Sequence, residues 1–198
     1  MLYLVSYELE RPLNDYPELL GFIDQQKPQA HVLENTWLLE SSDLPYNMQR
    51  EIETWLGPRD RIYIGDVSKS IIAWSNIEGE VSDFIGRFTQ AVEQDVSHQL
   101  LLVAFDGPLD ERWNTSSESH KSALGVWQPL LTNLYQIETD ASPEKMLSHA
   151  REALGGERRI LVVDISLAPA AWLHLPEDSA YAAVAYTRQE QGPDRQEF

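Results

Sequence analysis

The 198-residue chain contains no cysteine. This absence excludes a disulfide framework, a thiolate zinc site and a cysteine nucleophile, and it is typical of a protein of the reducing cytoplasm. Long hydrophobic runs are lacking too, since no apolar stretch approaches the ~18–20 residues of a membrane-spanning helix. The start, MLYLVSYELERP, has no basic leader of the secretory kind. We therefore expect a cytoplasmic protein with no signal peptide and no membrane association.

Basic residues are also scarce. The chain has 15 Lys and Arg against 32 Asp and Glu, a formal net charge of −17, and the acidic residues are spread along its whole length. Nucleic-acid-binding proteins neutralise phosphates with clustered Lys and Arg, which this chain does not have. A negative field repels polyanions and attracts basic surfaces. The composition predicts a basic protein partner and no nucleic acid, although the acidity could serve solubility alone.

Short catalytic motifs are missing as well. The sequence contains no GxGxxG, no GxxxxGK[ST] and no GxSxG. Its histidines show no metal-ligand spacing; they are His31, His98, His120, His149 and His174. These absences argue against a phosphate loop, a zinc hydrolase and a serine hydrolase, and they predict no cofactor for a binding protein.

The most informative feature that is present is an internal repeat. The segment DRIYIGDVSKSIIAW begins at Asp60, and RRILVVDISLAPAAW begins 98 residues later at Arg158. The same offset relates the strand-like runs Leu2–Glu8 and Leu100–Asp106. Between windows 45–77 and 143–175, ten of 33 positions are identical, where about two would match by chance at typical residue usage. The chain is predicted to be a tandem duplication of one small domain.

Each copy follows the order strand, helix, strand, strand, helix, strand. In the first copy we predict a helix capped by Asn14 or Asp15 and a hairpin bent near Asn35. A second helix is predicted from a cap at Ser42 or Asp43 to the region of Gly57. This order predicts an α+β protein made of two tandem ferredoxin-like (βαββαβ) domains.

Both faces of each predicted sheet are apolar. Leu2 and Leu4 share one side of the first strand, and Leu100 and Leu102 share the matching side in the second copy. Helices can cover only one face, so the other must bury against something else. The nearest partner is the sister repeat, which predicts two domains packed sheet to sheet as an intrachain pseudo-dimer. Whether the chain is a monomer or forms a further dimer stays open.

The predicted boundaries are residues 1–77 for the first repeat and 99–186 for the second. Residues 78–98 are predicted as a linker helix, centred on Gly79–Asp95, whose apolar residues fall on one face. SAYAAVAYTR is predicted as an added edge strand, and residues 187–198 as a disordered tail.

The strands of the first copy carry a family resemblance. MLYLVSYELERP, HVLENTWLLESS and RIYIGDVSKSIIAW resemble, over residues 1–77, the small ferredoxin-like proteins of the CRISPR adaptation nuclease superfamily and their stand-alone bacterial relatives. That resemblance implies a metal-dependent nuclease in which an acid ends the first strand of each subunit near the dimer axis. The matching positions are Glu8 and Asp106, which would be the catalytic and Mg²⁺-binding residues. Glu8 stands where Asp is usual in the family.

Both carboxylates have a second interpretation that involves no catalysis. Pairing of the first and last strands places Arg59 or Arg61 beside Glu8, and the matching arginines beside Asp106. Such an ion pair contributes roughly 0–1 kcal/mol when exposed.

Two further pairs repeat between the copies. Asp66 and Asp164, at the far end of the last strand, are predicted to serve a turn or cap. Trp74 and Trp172 are predicted to anchor the following segment to the core.

Two functions remain open at this point. The first is an acidic, non-catalytic interaction protein of the antitoxin, immunity or inhibitor type that binds a protein partner. The alternative is a metal-dependent nuclease or phosphodiesterase that uses Glu8 and Asp106 with Mg²⁺. The charge favours the first and the resemblance favours the second.

Overall fold

A computed structural model describes residues 1–88, 99–107, 125–166 and 170–175. The described residues form two antiparallel five-stranded sheets and four α-helices, which confirms the α+β class. The strands are β1 (Leu2–Glu8), β2 (Gln29–Leu33), β3 (Thr36–Glu40), β4 (Arg61–Asp66), β5 (Ile72–Ser75), β6 (Gln99–Phe105), β7 (Val126–Leu131), β8 (Leu134–Thr139), β9 (Ile160–Asp164) and β10 (Ala170–Leu173). The helices are α1 (Pro17–Gln25), α2 (Pro45–Glu53), α3 (Gly79–Phe88) and α4 (Pro143–Leu154). None of the described helices is long and apolar enough to span a bilayer.

The two sheets have matching strand orders. The first is ordered β10-β4-β1-β3-β2 and the second β5-β9-β6-β8-β7. In each, the first strand of the copy is central, so both of its faces are covered and every residue of the two strands except Glu8 is buried. β1 pairs with β4 in a register that sets Glu8 opposite Arg61.

The fifth strand of each sheet comes from the other copy. β5 belongs to the first copy but pairs with β9, setting Ile72 opposite Val163. β10 belongs to the second copy but pairs with β4, setting Ala170 opposite Gly65. Pattern reasoning predicted only turns and anchors in these segments, because four-residue runs carry little strand signal. Their partners also lie far away along the chain, 91 residues for Ile72 and Val163 and 105 residues for Ala170 and Gly65.

The tryptophans of the exchanged segments behave as predicted. Trp74 in β5 and Trp172 in β10 are partly buried and pack against the core that the two sheets share. The Trp74 indole N–H also donates a 3.0 Å hydrogen bond to the Ser82 hydroxyl on α3. The segment is therefore held both by its backbone ladder and by its aromatic side chain.

One cluster of buried side chains draws on both sheets. Leu4 and Leu102, which we predicted to be buried between the sheets, are fully buried members of it. The cluster also contains Leu2, Val32, Leu38, Tyr63, Val67, Ile72, Phe84, Ile85, Leu100, Ala104, Leu130, Leu134, Leu161 and Val163. At ~25 cal/mol per Å² of buried apolar surface, this shared core is a main source of stability for the arrangement.

Two further clusters lie on the opposite faces of the sheets, under the helices. The first joins alternate β1 residues such as Tyr3 and Val5 to Leu19 of α1 and Met48 of α2. It also includes Leu173 of β10, so the exchanged strand is packed as well as paired. The second cluster is its counterpart in the other sheet and includes Ala73 of β5.

The predicted helix caps of the first copy are wrong. α1 begins at Pro17 with Tyr16 as its N-cap, and Asn14 and Asp15 lie in a short 3-10 helix (Leu13–Asp15) before it. The start is set by proline, whose fixed φ and missing N–H suit the first helical position.

The second helix shows the same error. α2 begins at Pro45 after Leu44, so neither Ser42 nor Asp43 caps it, and it ends at Glu53, short of Gly57. Its equivalent α4 does have a polar cap, since the Ser142 hydroxyl accepts from the Lys145 N–H at 3.3 Å.

α3 lies within the segment predicted as a linker helix, and its Phe84 and Ile85 are buried in the shared core. Residues 89–95 of that prediction, the SAYAAVAYTR strand and the tail at 187–198 lie outside the described residues.

Candidate functional site

Two hairpin turns meet at the end of the molecule where β1 and β6 finish. One turn, between β2 and β3, carries Asn35, and its equivalent between β7 and β8 carries Asn133, 98 residues later. The two side chains bond to each other twice: Asn35 Nδ2 donates to Asn133 Oδ1 at 2.7 Å, and Asn133 Nδ2 donates to Asn35 Oδ1 at 2.9 Å. Each amide also donates to its own copy's first strand, at the Tyr7 and Phe105 carbonyls. This amide pair joins the two copies.

Glu8 lies beside this pair. Its Oε2 accepts a 3.1 Å hydrogen bond from the Thr132 N–H in the turn of the other copy. Arg61 Nη1 lies 3.7 Å from the same oxygen, as the strand register predicted, while Arg59 pairs with Glu10 instead. The Glu8 side chain is 37% exposed, so its ion pair is screened by solvent.

Asp106 repeats this arrangement from the other side. Its Oδ1 accepts a 2.7 Å hydrogen bond from the Glu34 N–H in the first copy's turn. Arg159 Nε donates to Asp106 Oδ2, and Arg158 donates to the Asp106 carbonyl at 3.2 Å. Each strand-end carboxylate therefore reaches across to the turn of the opposite copy, and the structure brings both predicted site residues to one end of the molecule.

The described part of the chain does not group a third metal ligand with these two carboxylates. Within the described ranges, no three His, Cys, Asp or Glu side chains are grouped as a metal-binding cluster. Mg²⁺ can be held in proteins by one or two carboxylates with waters and substrate phosphates. Glu8 and Asp106 are the predicted site residues at this end that could contribute to such a site.

An open groove of about 400 Å³ lies against the amide pair. Its walls include Tyr7, Leu9 and Leu13 from the first copy, with Thr132 and Gly107 from the second. Glu8, Glu34 and Arg11 bring charge to its lining, so an otherwise largely apolar groove carries two carboxylates and one guanidinium.

Tyr7 lines the groove, and the pKa of its hydroxyl is shifted by burial and by its neighbours. Burial raises the pKa of Tyr7, the 3.3 Å hydrogen bond from the Trp37 indole N–H lowers it, and the nearby Glu34 carboxylate raises it. The net pKa is raised, so this phenol stays neutral near pH 7. Arg11 lies 4.8 Å from the centre of the Tyr16 ring, where a cation is attracted by the negative ring face.

Asp60 is a buried carboxylate that the sequence did not single out. It accepts hydrogen bonds from the N–H groups of Glu10 and Gly57 and from the Tyr16 hydroxyl, at 2.7–2.8 Å. Burial acts to raise the pKa of Asp60, but these three bonds and the Arg11 charge outweigh it and hold the pKa below its usual range. The carboxylate organises the chain before β4 and has no counterpart in the second copy, where position 158 is arginine.

The other repeated acids have the predicted turn role. Asp66 Oδ1 accepts from the Ser68 N–H at 2.9 Å, and Asp164 Oδ1 accepts from the Ser166 N–H at the same distance. The serine hydroxyls in turn accept the N–H groups that open β1 and β6. These aspartates shape the exit from the last strand of each copy and lie at its far end from Glu8 and Asp106.

Two of the three described histidines have structural partners, and the third, His149, lies on α4. His31 stacks on Trp37 with ring centres 4.2 Å apart, and its Nε2 lies 3.1 Å from the Glu34 carbonyl. His174 Nδ1 lies 2.8 Å from the Asp60 carbonyl. His98 and His120 lie outside the described residues.

No protein-family model, curated protein or solved structure matches the chain. The resemblance to the CRISPR adaptation nuclease superfamily therefore stays a prediction carried by the quoted strands. Asn35 and Asn133 are the site residues that pattern reasoning missed as a pair. The signal was present, because they are identical residues at the repeat offset of 98 within a turn.

Proposed function

We propose that the chain is a fused pair of ferredoxin-like domains, packed sheet to sheet as an intrachain pseudo-dimer, that binds a basic protein partner without catalysing a reaction. The observation that carries this proposal is the engagement of Glu8 and Asp106. Each accepts a backbone N–H of the opposite copy and lies beside an arginine.

These contacts give the two carboxylates a structural role, because each links one copy to the turn of the other. Both hydrogen bonds are exposed, so each contributes only about 0.5–1.5 kcal/mol, but together they help to hold the hairpin turns in place. An Mg²⁺ ion bound to either carboxylate would have to compete with its arginine and its N–H donor. This competition supports a structural role for the two carboxylates and argues against a catalytic one.

The charge supports a basic partner. With a net charge of −17, the molecule has a negative field that speeds encounter with a basic protein and slows the approach of nucleic acid. Because the Debye length is about 8 Å at physiological ionic strength, the attraction acts mainly near contact and weakens as salt rises.

A pull-down with the full chain from its native cell tests the proposal. We expect it to recover a basic protein whose retention falls as salt is raised from ~0.15 M towards ~1 M, where the Debye length shrinks to about 3 Å. A fluorescence titration with duplex DNA at ~0.15 M salt, with and without Mg²⁺, should show no binding. Micromolar binding to that DNA would overturn the proposal.

One observation favours the nuclease as a second candidate. Glu8 and Asp106 flank the Asn35–Asn133 pair from opposite copies, as two metal-binding acids at a dimer axis would. Cleavage of RNA or DNA by the purified chain in Mg²⁺ or Mn²⁺, lost in a Glu8→Gln and Asp106→Asn double variant, would establish it. These amide substitutions keep an acceptor oxygen for the turn N–H groups, so loss of activity would not reflect unfolding. We expect no cleavage.

A further inference from the structure

We propose that the groove against the Asn35–Asn133 pair binds an arginine side chain of the basic partner. This inference rests on the proposed function and gives it a location. Arginine combines an apolar stem with a planar guanidinium that suits carboxylates, and its head is less strongly hydrated than an ammonium group. The groove offers both kinds of surface.

The walls of the groove can pack against the apolar stem of the arginine side chain. Leu9, Leu13 and Tyr7 line the groove, whose volume of about 400 Å³ lies within the range of ligand pockets. Leu9 and Leu13 are only partly buried, and they pack against the cluster under α1 and α2. The groove is thus walled by side chains that the helix-side core supports.

Two carboxylates of the groove can pair with the guanidinium of the arginine. Glu8 Oε2 is occupied by the Thr132 N–H and faces Arg61, whereas Glu8 Oε1 has no hydrogen-bond partner among the described residues. The Glu34 carboxylate, on the exposed turn, forms no ion pair with any described residue. Glu34 lines the groove together with Tyr7, whose pKa is raised by burial and by the Glu34 carboxylate.

Arg11 also lines the groove, and its guanidinium lies 4.8 Å from the centre of the Tyr16 ring. The lining therefore carries two carboxylates against one guanidinium, and this excess of negative charge favours an incoming cation.

The residues that line the groove differ between the two copies. At the repeat offset of 98, Glu34 corresponds to Thr132, Leu9 to Gly107 and Glu8 to the shorter Asp106. Asp106 also pairs with Arg159 and with the Glu34 N–H, which engages both of its oxygens. The duplication has thus diverged where the groove lies, and we expect one arginine site per chain.

The test is an NMR titration of the full-length ¹⁵N-labelled chain with acetyl-arginine amide. Acetyl-citrulline amide, which has nearly the same shape and no charge, is the matched ligand control. Acetyl-arginine amide should give saturable chemical-shift changes of the Glu34 and Thr132 N–H signals and of the Asn35 and Asn133 side-chain amides. Acetyl-citrulline amide should give no such changes. Equal shifts with both ligands, or arginine shifts scattered over all exposed acids, would overturn the site.

Substitutions of the two groove carboxylates test whether they bind the arginine. Glu34→Gln should weaken arginine binding by about threefold, the range expected for an exposed ion pair, and adding Glu8→Gln should weaken it further. Glu51→Gln, an exposed acid on α2, serves as the control and should leave the affinity unchanged. Unchanged affinity in the Glu34→Gln and Glu8→Gln double variant would contradict the proposal.

The two proposals can fail separately. If a basic partner is recovered and the double variant retains it fully, the protein binds its partner elsewhere and only the groove assignment is lost. If the groove binds acetyl-arginine amide but no protein is recovered, the groove stands and the function proposed above does not.

Discussion

Asn35 and Asn133 donate to each other, so that one residue of the repeat is hydrogen-bonded to its own equivalent in the other copy. This reciprocity is typical of equivalent residues that lie beside a twofold axis. Both amides also donate to a first-strand carbonyl, which ties the pair to the sheets.

Asn35→Ala and Asn133→Ala are each expected to lower the free energy of unfolding by about 1–3 kcal/mol, because each leaves half-buried polar groups unpaired. The double variant should lose less than the sum of the two, since each residue's main partner is the other. Urea unfolding measures all three, with Asn14→Ala, an exposed site, as the control. Simple additivity would show that the pair is not coupled.

Leu4→Asp is expected to unfold the chain or to lower its stability by several kcal/mol, since it places an unpaired charge in the core that both sheets share. Leu44→Asp is the matched control, because Leu44 is 58% exposed and should tolerate the change. Thermal melting followed by circular dichroism distinguishes them. A Leu4→Asp protein that melts like the wild type would refute burial of this face.

Two separate chains, residues 1–88 and 89–198, are expected to co-purify when co-expressed with a tag on one of them. Each piece carries a strand that completes the other's sheet, β5 on the first and β10 on the second. Ending the second piece at residue 166 removes β10 and should weaken the association. Independent elution of the two longer pieces would contradict the strand exchange.

Asp60→Asn is expected to destabilise the protein at pH 7, because the carboxylate accepts three hydrogen bonds in the fold. The folded-state pKa lies below the ordinary value of 3.8, so the carboxylate's contribution is present above that value and is lost as pH falls through the folded pKa. The stability gap between wild type and variant should therefore narrow below about pH 4.

Urea unfolding at several pH values between 7 and 3 measures this gap, and Asp83→Asn, an exposed acid on α3, is the control. A gap that stays constant down to pH 3 would mean that the carboxylate charge is not what the variant removes.

The sequence predicted the parts of this fold that repeat or alternate. The offset of 98 identified β1 with β6 and β4 with β9, and alternation along β1 separated Leu4 from Val5, which lie in different clusters. The neighbours of Glu8 and Asp106 were partly predictable, because antiparallel pairing sets Arg61 and Arg159 beside them.

Other features depend on tertiary structure and could not be predicted in this way. The Thr132 N–H bonded to Glu8 comes from 124 residues away, and no local pattern encodes that contact. β5 was missed because Ile72–Ser75 is too short to show a period and its partner belongs to the other copy. The helix starts were misplaced because polar residues were weighed above Pro17 and Pro45, which set them.

The exchange of β5 and β10 also has a consequence for synthesis on the ribosome. β4 is made early, but the strand that covers its outer edge is made about 100 residues later, which at 5–20 residues per second is a delay of roughly 5–20 s. During that interval the nascent first half has an uncovered strand edge and an apolar sheet face, both of which promote aggregation. Newly made chains should therefore need shielding until the second copy emerges, and slow translation of that copy should lower the yield of soluble protein.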